Sequence, residues 1–342
     1  MKKLHILFAA FLILTILPAC GPQALNCASE KVFCVGLVTD IGKVNDKSFN
    51  QSAWEGVQQA AKELGATINY IETADPKDHA KNVAVFGDAG YDVIVTVGFT
   101  LGDTTVTAAA MYPNTDFIGV DQYQADTVKG VAGLNFPEDQ AGFLVGSLAA
   151  MMSKSHKIGA VCGPDTVPAV WRFGEGYKAG AIFVDTLKEA TTDVTVAYHP
   201  DDDKAFIDPE WGAETAKSMM RQGVDVIFGC GSVTGNGAIA AAAQAEVYAI
   251  IGVDTDQYWT LPDAAPRMLS SAIKLITPGV YDLIKLSKEG KFPSGNFFGK
   301  VGYAPFHDLD NEVPTDVKDQ MEKINAGLLD GSIKTGVPSK KP

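Results

Sequence analysis

FCVGLVTDIGKVNDKSFNQSAWEG, residues 33–56, passes from a strand through a long loop into a helix. Phe33–Val38 is an apolar run of strand length, and Trp54, Val57 and Ala61 share one helical face as far as Leu64. Asp46 or Ser48 can cap that helix, because a short side-chain oxygen accepts from its orphan N–H groups. A long first loop at the carboxyl end of a strand is the usual ligand site of open α/β sheets. This one holds Asp40, Asn45, Asp46, Phe49, Asn50 and Gln51, an aromatic plate among hydrogen-bonding groups. The plainer alternative is a solvated loop with Phe49 folded back onto the core.

Outward from this stretch, strands and helices alternate. Strands are predicted at 33–39, 67–72, 92–97 and 116–120, with helices at 48–64, 77–87 and 101–111. After Asn135 a second series begins, with helices at 138–154, 168–186, 210–222 and 235–245 and strands at 157–162, 193–199, 225–229 and 248–253. This rhythm implies α/β architecture with parallel sheets covered by helices on both faces. The series also match one another. Tyr91–Gly98 answers Val224–Gly229, and Gly119-Val-Asp121 answers Gly252-Val-Asp254, with 29 positions from Asp92 to Asp121 and from Asp225 to Asp254. Two Rossmann-like lobes account for the match. The expected division is lobe one at 33–134 plus about 274–292, and lobe two at 135–273 plus about 293–335. Several chain crossings make a hinge, and inter-domain clefts favour ligands.

Composition narrows the function. The 342 residues exceed the size at which single cores stop growing. Met1-Lys-Lys3, the apolar run Ile6–Leu17 and Leu17-Pro-Ala-Cys20 read as a secretory signal over 1–19, followed by a tether over 20–32. The motif is similar to the bacterial lipobox, which implies lipidation of Cys20 and a place outside the cytoplasm on the cell membrane. Removing 1–19 takes away Lys2 and Lys3, so the formal charge moves from −13 to −15. Such acidity argues against nucleic acid as a partner, since phosphate needs basic patches. Cys27, Cys34, Cys162 and Cys230 have no CxxC metal spacing, and buried thiols or disulfides are both open. Neither a metal nor any other cofactor is expected.

The strand ends bring Asp40, the Phe49 loop, Gly98-Phe-Thr100 and Asp121 from lobe one to a common cleft. Lobe two adds Trp171-Arg-Phe173, Phe206, Gly229–Asn236 and Asp254, and Lys274 lies where the chain returns. Two aromatic plates can sandwich a flat heterocycle, and buried aspartates select amino, imino or hydroxyl donors. Asp at a strand end is also a common turn former, and Phe206 can simply anchor its loop. Catalysis finds little support. Gly229-Cys-Gly-Ser-Val-Thr-Gly235 misses the dinucleotide fingerprint by one position, and no phosphate loop or nucleophile elbow is present.

VNDKSFNQSAWEG (44–56), GVDQ (119–122), AFIDPEWGAETA (205–216), GVDTDQ (252–257) and SSAIK (270–274) together resemble the basic membrane protein family of bacterial lipoproteins. The resemblance implies a type I periplasmic-binding fold and a nucleoside-binding component of an ABC importer. It implies that Phe49 and Phe206 stack on a purine and that Asp121 bonds the base edge. Asp40 and one of the Asn45-Asp46 pair would support that side, Gly231, Asp254 and Lys274 would hold the ribose, and Asn50 is a further candidate ligand contact. The partners it implies are guanosine, adenosine or inosine, a membrane permease, and the membrane through the lipid. Trp171-Arg-Phe173 departs from the family's usual stretch. A sugar or other small polar solute, or a signalling or adhesive role without transport, are the competing readings.

Overall fold

A computed structural model describes residues 27–28 and 32–342. The signal segment, Cys20 and most of the tether lie outside the described residues. The first series runs β1 (Cys34–Thr39), α1 (Phe49–Leu64), β2 (Thr67–Ile71), α2 (His79–Asp88), β3 (Val93–Val97), α3 (Gly102–Met111), β4 (Asp116–Val120) and β5 (Val131–Asn135). The second runs α4 (Glu138–Met152), β6 (Lys157–Cys162), α5 (Pro168–Lys188), β7 (Asp193–Tyr198), α6 (Pro209–Arg221), β8 (Val226–Cys230), α7 (Ser232–Gln244), β9 (Ala249–Asp254), α8 (Gln257–Thr260) and β10 (Met268–Lys274). The chain closes with α9 (Ile276–Lys288), β11 (Gly295–Phe298), β12 (Val301–Tyr303) and α10 (Thr315–Asp330).

Two six-stranded sheets result, ordered β2-β1-β3-β4-β5-β11 and β7-β6-β8-β9-β10-β12. Among the described residues, all pairings are parallel except that of β12 with β10. Central strands such as Val93–Val97 and Val226–Cys230 are buried throughout, which is why they read as unbroken apolar runs rather than alternating ones. The α/β class and the doubled lobe therefore follow the sequence pattern.

Three details depart from expectation. β5 had no counterpart in the sequence reading, since Val131-Ala-Gly-Leu-Asn135 is short and interrupted by glycine. The closing strand that the sequence predicts near Phe297–Val301 is two strands, broken at Gly299-Lys300. Of these, β11 pairs with β5 in the first sheet, so residues 295–298 belong with lobe one and not with lobe two. The chain thus passes between lobes three times, at β5–α4, β10–α9 and β11–β12. Helix α4 is buried along most of its length against α5. The two approach so closely that a Cβ on Gly146 would lie 2.0 Å from the Tyr177 carbonyl oxygen. Nearer the helix starts, a Cβ on Gly142 would lie 2.2 Å from the Phe173 carbonyl oxygen.

Among the described residues, two disulfides are formed. Cys27 is bonded to Cys34, and Cys162 to Cys230 on the neighbouring strands β6 and β8, where the two residues sit in register.

Candidate functional site

Parallel strands deliver their following residues to one end of each sheet, and the two ends face each other across a cleft. Asp40, Asp46, Phe49, Asn50, Asp121, Phe206, Gly231, Asp254 and Lys274 all line it. Asn45 does not: it is exposed, while the next residue, Asp46, turns inward. The expectation for Asn45 is corrected accordingly, because Asp46 takes the inward position as the cap of α1. Its carboxylate accepts from the backbone N–H groups of Ser48, Asn50 and Gln51 at 3.0, 3.1 and 3.0 Å.

Asp121 follows β4 directly and Asp254 ends β9, equivalent places in the two lobes, and both adopt left-handed backbone, at φ 60° and 66°. Aspartate tolerates that region better than most residues, which accounts for its use at both strand ends. Asp40 is held by the Ile41 N–H at 2.7 Å and the Thr100 hydroxyl at 3.0 Å. It packs on Gly98, at φ 115°, where a Cβ would lie 1.9 Å from the carboxylate. Burial pushes the Asp40 carboxyl up to about 7. Burial likewise raises Asp254 to about 6 and raises Asp46.

Lys274 is the cation at the centre. Its Nζ donates to both oxygens of Asp121, at 2.7 and 2.6 Å, so the aspartate expected at a base edge is already engaged by the lysine expected at a ribose. Burial outweighs the lysine's attraction and lifts Asp121 to about 6. Burial opposes the charge on Lys274, but Asp121, Glu138 and Asp254 together hold it above its ordinary value. The ammonium also lies 5.0 Å from the ring centres of Phe49 and Phe136. Glu138 Oε1 stands 3.2 Å away without hydrogen-bond geometry. Its other oxygen accepts from Arg172 Nε and Nη2 at 2.8 and 2.5 Å. Of Trp171-Arg-Phe173, Phe173 lines the cleft and Arg172 pairs with Glu138.

Phe206 lies against the Gly163 backbone, where a Cβ would come within 2.6 Å of its ring. Gly231 is required by contact: a Cβ there would meet Gly163 N at 2.5 Å. The Asn50 amide donates to the Ile41 carbonyl at 3.1 Å, leaving its Oδ1 buried and unpartnered. Ile41, Val167 and Val170 add apolar wall that no motif announced. Glu138 was also overlooked, since an acid in the first turn of a helix ordinarily serves the helix dipole. Among the described residues, no cluster of three or more His, Cys, Asp or Glu is placed to hold a metal ion. No helix among them is long and apolar enough to cross a membrane.

The family model for Bmp, described as ABC transporter substrate-binding protein PnrA-like, matches residues 33–299. The chain belongs to the Bmp family. This Bmp chain is 32% identical to the ABC transporter nucleoside-binding protein BmpA of Lactococcus lactis, over 99% of its own length and 100% of the relative's. It is equally similar to the CD4+ T-cell-stimulating antigen of Listeria monocytogenes, at 32% over 99% and 100%. An uncharacterized lipoprotein of Pyrococcus abyssi is 29% identical over 86% of this chain and 74% of its own. Among solved structures, an ABC transporter solute-binding protein from Aeropyrum pernix K1 superposes with a TM-score of 0.80, at 25% identity over 88% and 92% of the two chains. Members of the Bmp family are the substrate-binding components of ABC transporters. The two-sheet architecture of this Bmp chain is that of solute-binding proteins with a type I-like fold.

Proposed function

We propose that the protein is an extracytoplasmic receptor, anchored by lipid at Cys20, that closes two lobes around a purine nucleoside and presents it to an ABC permease. The observation that carries this reading is the lining of the cleft: Phe49 from one lobe, Phe206 from the other, and buried aspartates between them. Two aromatic faces suit a flat base, at about 1–3 kcal/mol per stacked base. Carboxylates suit its amino and imino hydrogens and the hydroxyls of a ribose.

Charge supports a neutral cargo. Asp40, Asp46, Asp121 and Asp254 line the cleft against Lys43 and Lys274, and Lys274 is already paired with Asp121. A nucleotide phosphate would add anionic charge to that excess, whereas a nucleoside adds none. The nucleoside-binding description of the Lactococcus relative and the lipoprotein name of the Pyrococcus one agree with this assignment. Asp121 and Lys274 offer base-edge and ribose contacts once the cargo competes for their mutual bond. The test is calorimetric titration of ligand-stripped protein with guanosine, adenosine, inosine, cytidine and ribose. One-to-one binding of purine nucleosides with ribose silent is expected, and ribose binding, or none at all, overturns the reading.

A further inference from the structure

Residues 46–48 bridge the lobes. Their root is fixed to lobe one, where Asp46 caps α1 and the Val44 N–H donates to Glu72 at 2.9 Å. Their tip is gripped by lobe two. Ser232 Oγ donates to the Asp46 carboxylate at 2.8 Å and Asn236 Nδ2 to the Asp46 carbonyl at 2.7 Å. Gln257 Nε2 and Thr260 Oγ1 both donate to the Lys47 carbonyl, at 3.0 and 2.9 Å. Ser48 Oγ completes the contact by donating to Asp254 at 2.7 Å. Lys47 holds left-handed backbone, φ 65°, and its carbonyl, with two lone pairs, serves two donors of the opposite lobe.

We propose that residues 46–48 are a closure latch, and that Asn236, Gln257 and Thr260 set ligand affinity by holding the lobes together without touching the ligand. None of the three lines the cleft. Gln257 is pre-aimed, since its Oε1 accepts from Val253 N and its own N–H donates to Ser271 Oγ. Bonds made only between closed lobes multiply the apparent affinity for every cargo by one factor. A residue that touches cargo changes the ranking of cargoes instead. The inference rests on the nucleoside reading for its assay, though the latch itself is independent of the cargo's identity.

Thr260→Val is the suitable probe, because it keeps the side-chain shape and removes the hydroxyl donated to Lys47. Guanosine, adenosine and inosine should each weaken by the same factor, about fivefold, the weight of one net hydrogen bond. Dissociation should quicken, and Thr260→Ser should restore wild-type values. Unchanged affinities, or a loss confined to one nucleoside, overturn the latch. If the wild-type protein binds no nucleoside, the functional reading fails separately. The latch is then decided by oxidative cross-linking of a Lys47→Cys/Thr260→Cys variant. Capture of the bridge between lobes upholds it, and absence of capture overturns it.

Discussion

Asp40→Asn should flatten the dependence of stability on pH. Asp40 is buried, and its carboxyl is raised from 3.8 to about 7 by that burial. A carboxyl with a raised folded value binds its proton more tightly in the native state than in the unfolded chain. Its contribution is therefore fully present below about pH 4 and is lost as pH rises through about 7. At about 1.4 kcal/mol per tenfold, the whole interval amounts to roughly 4 kcal/mol, of which roughly 3 falls above pH 5. Asp121 and Asp254, both near 6, add in the same direction, so the wild-type protein should be more stable at pH 5 than at pH 8. Urea unfolding of ligand-stripped protein at half-unit steps from pH 5 to 8 measures this. The difference between wild type and Asp40→Asn should shift by roughly 3 kcal/mol over that range, in the variant's favour as pH rises. Parallel curves would refute the assignment of the titration to Asp40, and wild-type stability rising with pH would refute the sign.

The sandwich predicts that Phe206→Ala costs ~1–3 kcal/mol of nucleoside binding while circular dichroism and the unfolding midpoint stay near wild type. Equal affinity by calorimetry would remove Phe206 from the site. Lys274→Met leaves Asp121 without its partner at a nearly inaccessible position, and should cost about 3–5 kcal/mol of stability. Adding Asp121→Asn should recover part of that loss in denaturant melts, and no recovery would mean the two are not coupled. Removing the disulfide with Cys162→Ala/Cys230→Ala opens a loop of 68 residues, worth about 4 kcal/mol by loop entropy. A melting temperature unchanged by the double substitution would assign the cross-link no role in stability.

The architecture was legible because buried parallel strands are unbroken apolar runs and because the Gly-Val-Asp strand ends recur at equal spacing. Lining residues were legible for the same reason: the topology sends whatever follows a strand to the cleft, so Asp40, Asp121 and Asp254 could be placed from their positions alone. What a residue bonds to there was not legible. The Lys274–Asp121 pair joins positions 153 apart, and no local pattern announces it. Glu138 and Arg172 share that obscurity, since each looks like an ordinary helical charge until α4 and α5 bring their first turns together. The choice between Asn45 and Asp46 turned on capping, where a carboxylate that accepts three N–H groups outcompetes its neighbour. Strand β11 went to the wrong lobe because its four residues carry no signal of which sheet edge they will join.

The three crossings also bear on how the chain is made. Helix α9 seals the first sheet's apolar face by packing Val280, Leu283 and Ile284 against Ala53 and Val57. Thr277 reaches Ser52 across 225 positions of sequence. Strand β11 then closes the sheet edge that β5 leaves open. On a ribosome, the first half emerges long before either piece exists, with an unpaired edge and an uncovered core that invite aggregation. Non-local closure of this kind is slow. A fragment ending before Ile276 would accordingly be two unfinished lobes, each lacking the part supplied last, and a trailing truncation would damage the beginning of the protein as much as its end.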